Sequence, residues 1–186
     1  MKSVNFFRKL IMRASVLMGV LLISFTSCET VDELTTFDIE YESSVTIPGT
    51  LGLETPLDIP TPAITTNAEE KFSGHDTQKS LIETITLKEL TLTIESPSGE
   101  DFSFLKDLVL YIDAEDMEET RIASRESISD DVGSTLEMET TSADLKEFIF
   151  KDQFNLKATV TTDEMITQDH EIIVHTVFEV DGGLVN

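Results

Sequence analysis

From Phe37 to Ile47 the chain alternates. Phe37, Ile39, Tyr41, Val45 and Ile47 fall in one phase, interrupted only by Ser43, and Asp38, Glu40, Glu42, Ser44 and Thr46 fill the other. Only an extended strand sends successive side chains to opposite faces, so this segment is expected to bury one face and wet the other. The same period returns at Leu108, Leu110 and Ile112, at Leu136 and Met138, and at Phe154, Leu156, Ala158 and Val160. Further on, Ile172, Val174, Phe178 and Val180 share a face with Thr176 between them, while Ile173 and Val177 lie opposite. Apolar residues on both faces mark a central strand.

Thr84 to Ile94 breaks the rule in an informative way. Ile85 and Leu87 sit at odd positions, whereas Leu90, Leu92 and Ile94 sit at even ones. One extra residue at Lys88-Glu89, a β-bulge, would return all five to one face. A tight turn there would lack the Gly, Asn or Asp that such turns use. Pro48, Pro56, Pro60 and Pro62, with Gly49 and Gly52, make the stretch from Pro48 to Ala68 extended edge chain and loop, since proline cannot donate to a ladder.

One short helix is expected near the C-terminal third. Thr141 and Asp144 fit a Thr-x-x-acid cap, and Leu145, Phe148 and Ile149 then form one helical stripe. Turns are expected at Pro97-Ser98-Gly99 and Asp181-Gly182-Gly183. Many short strands, short connections and a single helix predict an all-β fold, an antiparallel β-sandwich with an immunoglobulin-like layout. The chain has one Cys and no Trp, so the disulfide and tryptophan of antibody domains are absent.

The N-terminal segment carries a different message. Lys2, Arg8, Lys9 and Arg13 precede the apolar run Ala14–Phe25, which ends in Thr26-Ser27-Cys28. A basic region, an apolar stretch and small residues describe a secretory signal peptide, and the run is shorter than the ~20 residues that span a bilayer. The segment Phe25-Thr26-Ser27-Cys28 resembles the lipobox of bacterial lipoproteins, with Phe25 where the box usually has Leu. That resemblance implies that the Cys28 thiol is acylated and becomes the mature N-terminus. A free thiol without a partner is otherwise out of place in an oxidising compartment.

The expected organisation is therefore a signal peptide over 1–27, a lipidated acidic tether over 28–36 and one β-sandwich domain over 37–186. Taking the four leading basic residues from 13 leaves 9 against 36 acidic residues, a net charge of −27 for the mature chain. So negative a balance argues against a nucleic-acid binder, whose affinity comes mostly from Lys and Arg on phosphates. It is also repelled by anionic headgroups, so the lipid must supply membrane attachment. The mature chain looks like the small all-β lipoproteins of Gram-negative bacteria through LKELTLTIESPSGEDFSFLKDLVLYIDA and DLKEFIFKDQFNLKATV. That resemblance carries no catalytic motif and implies no activity.

Searching for chemistry returns little. No Gly-x-Ser-x-Gly elbow, Gly-rich phosphate loop or dinucleotide fingerprint occurs. Ser73, His75 and Asp76 are sequence neighbours, which cannot converge as a triad and read as a polar turn. His170 and His175, five apart on a strand, point to opposite faces and cannot share zinc. Asp113, Glu115 and Asp116 in one loop and Asp130 and Asp131 in another are the calcium candidates, as hard oxygen donors on loops, although no EF-hand spacing is present. Glycoside hydrolysis would need two carboxylates in a cleft, usually beside aromatic platforms, and the mature chain has only Tyr41 and Tyr111 besides its Phe residues.

The expectation is a non-enzymatic lipoprotein without cofactor. It would be anchored through Cys28 to the outer membrane, on the periplasmic side or at the cell surface, and bind a protein or glycan partner. The alternative is an accessory ligand- or glycan-binding protein, calcium-dependent or not.

Overall fold

The computed structural model describes residues 36–49 and 55–183. Cys28, the expected signal peptide over 1–27 and almost all of the expected tether over 28–36 lie outside them. The chain divides at Thr36/Phe37, and the unit from Phe37 onward is the one described.

Among the described residues ten strands run in chain order: β1 Thr36–Ile47, β2 Leu57–Pro60, β3 Ile64–Thr65, β4 Ile82–Ser96, β5 Leu105–Asp113, β6 Thr120–Arg125, β7 Thr135–Glu137, β8 Glu139–Thr140, β9 Gln153–Thr162 and β10 His170–Gly182. One sheet has the order β1-β10-β4-β7 and the other β2-β9-β5-β6-β8, with β3 also pairing β9. The described residues also form two short α-helices, α1 (Ala68–Ser73) and α2 (Lys146–Ile149), and two 3-10 turns at Lys79–Leu81 and Phe102–Phe104. The fold is all-β, an antiparallel two-sheet sandwich.

The alternating residues meet between the sheets. Ile39, Val45 and Ile47 of β1, Leu90 and Leu92 of β4, and Ile172, Val174 and Phe178 of β10 are buried in one cluster with Leu108, Leu110 and Ile112 of β5 and Leu156 and Val160 of β9. The void between the sheets measures only about 10 Å³, room for one water at most. At that point the core is filled.

β10 lies between β1 and β4, the central position that its two apolar faces imply. Val177 pairs with Glu89 and Phe178 with Leu87, so Lys88 is the extra residue and the expected bulge stands where the phase changes. Two more register shifts leave out Glu95 and Glu83 in the same way. All three inserted residues of β4 are charged and exposed, so each bulge sends a charge to solvent and keeps the apolar residues inward.

Several local expectations need correction. β10 continues through Gly182, which pairs with Ile82, and Gly183 N–H donates to the Leu81 carbonyl at 2.6 Å. Gly182, expected to turn the chain, extends the ladder instead, and Gly183 is tied to Leu81 immediately before β4. The helix near the C-terminal third is present as α2, but Asp144 serves it rather than Thr141. Asp144 Oδ1 accepts from Lys146 N–H at 3.0 Å and from Ile85 N–H at 3.1 Å, while the Thr141 hydroxyl bonds the Arg121 carbonyl. The proline stretch is edge chain as expected, with β2 and β3 on β9, but it then enters α1, which local pattern did not announce.

Candidate functional site

The calcium candidates are not brought together. Asp113, Glu115 and Asp116 lie where β5 turns towards β6, and Asp130 and Asp131 lie beyond the other end of β6. Six strand residues at ~3.3 Å each hold the two groups roughly 20 Å apart. Asp113 Oδ1 is occupied by Asn155 Nδ2–H at 2.9 Å, and Asp131 accepts from the Ser129 hydroxyl. Among the described residues, no three His, Cys, Asp or Glu side chains are grouped to hold a metal.

His170 and His175 do take opposite faces. His170 is buried against Phe104, ring centroids 4.7 Å apart, with its Nε2 3.8 Å from Glu100 Oε2, too long for a hydrogen bond. His175 faces outward, 3.5 Å from Glu40. The Ser73-Gly74-His75-Asp76 stretch ends α1: the Ser73 hydroxyl donates to the Glu70 carbonyl, and the His75 ring stacks on Phe37 at 4.1 Å. Neither side chain is directed at the other's chemistry.

A feature that no local motif announces lies where β3, α1 and the start of β9 converge. Two adjoining depressions share Asp152. The first, about 380 Å³, is lined by Thr65, Thr66, Asn67, Glu69, Lys79 and Asp152, among others. The second, about 520 Å³, is lined by Glu115, Phe150, Lys151, Asp152, Gln153 and Asn155. Both volumes fall in the range of small-molecule sites, but the lining is polar where such sites are mostly apolar.

The frame beneath this cleft is fixed. Ile64 pairs with Phe154 and Thr65 with Gln153, and Thr66 N–H donates to the Asp152 carbonyl at 3.0 Å. The buried Thr66 hydroxyl donates to the Lys151 carbonyl at 2.6 Å, and the Tyr41 hydroxyl donates to the Thr66 carbonyl at 2.8 Å. Lys79 Nζ donates to the Phe150 carbonyl at 2.9 Å and stands 5.6 Å from the Phe150 ring centroid. Below lie Tyr41, Phe154 and Phe178, edge to face at 5.4–6.0 Å. Burial pushes the Tyr41 phenol above its ordinary pKa.

Above that frame Glu69 stands 3.9 Å from Lys79 Nζ, and several other polar side chains are uncommitted. Asp152, Gln153 and Lys151 make no side-chain hydrogen bond or ion pair among the described residues, and Asn67, in the left-handed region at φ 47°, does not cap α1. Sequence reasoning reached one member, Glu115, as a calcium candidate, and missed the rest.

No protein-family profile matches the chain, and no curated protein matches its sequence. Among solved structures, it is similar to the empty head of turnip yellow mosaic virus at 12% identity and a TM-score of 0.30, covering 81% of this chain and 82% of that one. Desmodium yellow mottle tymovirus matches at 11% identity and a TM-score of 0.27, over 81% and 84%. An arabinose-bound α-L-arabinofuranosidase matches at 11% identity and a TM-score of 0.28, over 78% of this chain but 23% of that one. At such TM-scores these likenesses carry no argument about this chain's function.

Proposed function

We propose that the chain is a lipoprotein, acylated at Cys28 and held at the outer membrane, whose β-sandwich is a binding module without catalytic activity. The observation that carries this reading is the lipobox-like Phe25-Thr26-Ser27-Cys28 at the end of a basic and then apolar N-terminal segment. Cys28 precedes β1 in the sequence, so an acyl group on it would interrupt no described strand. Several acyl chains give far firmer attachment than one.

Growth of expressing cells with a clickable palmitate analogue tests the anchor. The wild-type chain is expected to take up label and fractionate with membranes, and Cys28→Ser to lose both. Label retained on Cys28→Ser would sink the proposal. Protease shaving of intact cells then reports the side: a domain that survives faces the periplasm, and one that is cleaved faces out.

A second reading, an accessory ligand-binding module, is favoured by the cleft around Asp152. Its calcium-dependent form draws no support from the two acidic loops, which stand at opposite ends of β6.

A further inference from the structure

We propose that the cleft flanking Asp152 binds an uncharged polyhydroxylated ligand, a neutral oligosaccharide, which it grips through carboxylate and amide side chains beside the Phe150 ring. This rests on the reading of the domain as a binding module and adds the chemical class of its ligand.

Donor and acceptor chemistry selects that class. Asp152, Glu115 and Glu69 can only accept hydrogen bonds when ionised, Lys151 can only donate, and the amides of Gln153 and Asn67 do both. A phosphate or other anion would meet carboxylates on both sides of Asp152. A cation would meet Lys151 within one depression and Lys79 within the other. A hydroxyl group donates and accepts at once, so a row of them is satisfied by such a mixed wall and brings no charge to desolvate. Asn155 is already oriented for this use, since its Nδ2–H is held by Asp113 and its carbonyl oxygen is left to accept.

Shape and rigidity agree. Both depressions are open rather than closed and Asp152 borders each, which suits a chain of sugar rings entering from the side. Phe150 lines the second depression and is half-buried, so part of its ring is available to the apolar C–H face of a sugar. Its ring also meets Phe72 edge to face at 6.0 Å, which fixes its orientation. The backbone carrying these groups is tied by Thr66, Tyr41 and Lys79, so little ordering entropy is lost when a ligand enters.

The test is calorimetric titration of the full-length lipidated protein in a polyoxyethylene detergent, which has no sugar headgroup to compete. The probes are cellohexaose, xylohexaose and maltohexaose, with hexalysine and inorganic phosphate as charged controls. At least one hexasaccharide is expected to bind with micromolar to millimolar Kd, with little dependence on salt. Asp152→Ala and Gln153→Ala should each weaken it about tenfold, while Glu137→Ala on the other sheet leaves it unchanged.

Both cleft residues are exposed, so their variants should melt with the wild type, which separates lost binding from lost folding. No binding of any hexasaccharide at millimolar concentration overturns the proposal. So does binding of hexalysine or phosphate alone, or saccharide binding that survives both cleft substitutions. Cys28→Ser should bind saccharide as the wild type does, so a failure of the anchoring experiment and a failure of this one are read independently.

Discussion

Tyr41 joins three parts of the molecule through one side chain. Its ring meets Phe154 of the opposite sheet and Phe178 of its own, Lys71 Nζ stands 4.7 Å above it, and its hydroxyl reaches the Thr66 carbonyl under the cleft. Burial keeps the phenol protonated in the folded chain at pH values where an unfolded tyrosine ionises. The folded state therefore holds more protons, and the associated stability is complete below about pH 10 and is lost as pH rises past it. Tyr41→Phe should lower neutral-pH stability by about 1 kcal/mol through the lost hydrogen bond. It should also flatten the fall of Tm above about pH 10. Parallel wild-type and mutant slopes in that range would contradict the burial account. Gly49 gives a steric counterpart: a Cβ there would lie 2.5–2.7 Å from the backbone of Gln168, and its own N–H donates to Asp169 Oδ1 at 2.9 Å. Gly49→Ala is expected to cost on the order of 1–3 kcal/mol in urea unfolding, as overpacking does.

At the level of elements, β4 shows how charge and register are reconciled. Each of its three bulges takes up one charged residue, and Lys88 goes on to pair with Asp38 of β1 at 2.7 Å and with Glu179 of β10 at 3.8 Å. The hydrogen bond from Lys88 to Asp38 raises the lysine pKa. Deleting Lys88 leaves Ile85, Leu87, Leu90 and Leu92 in a single phase, so this variant should still fold. Deleting Thr91 instead turns Leu92 and Ile94 out of the core and should abolish cooperative unfolding, as a one-residue slip moves a whole buried set to solvent. A Lys88 deletion at least as damaging as the Thr91 one would refute the bulge account. Asp144→Ala should cost about 1–2 kcal/mol, because one carboxylate serves both α2 and the β4 backbone, and Thr141→Ala much less.

Those elements also explain what could be read in advance. β1, β5, β9, β10 and the Lys88 bulge were legible because each has several large apolar residues in one phase. β6 was not: only Ile122 of its buried residues is large, and Ala123 beside it is buried too, because the ladder to β5 shifts between Leu110 and Tyr111. α1 offers Ala68 and Phe72 alone as an apolar pair, too few to establish a helical period. The cleft was hidden for another reason. Its residues come from positions 65–70, 79, 115 and 150–155, and pairing of β3 with β9 joins segments almost ninety residues apart that share no spacing rule.

For the whole molecule, charge is distributed rather than concentrated in a site. The face of the β1-β10-β4-β7 sheet turned from the core carries Asp38, Glu40, Glu42, Glu89, Glu137 and Glu179, against Lys88 and His175. Such self-repulsion is screened over about 10 Å at 0.1 M salt. Raising sodium chloride from low to physiological strength should lift Tm by a few degrees, and a flat response would mean that the paired lysines already neutralise the surface. The position of β10 has a consequence in time as well as space. A ribosome makes β1 and β4 long before the strand that lies between them. Until His170–Gly182 has been synthesised, that sheet has a gap at its centre, and its two halves have no ladder to join. The second sheet, whose strands all precede β10, can form first, and the β1-β10-β4-β7 sheet closes only when the last strand is laid between its two halves.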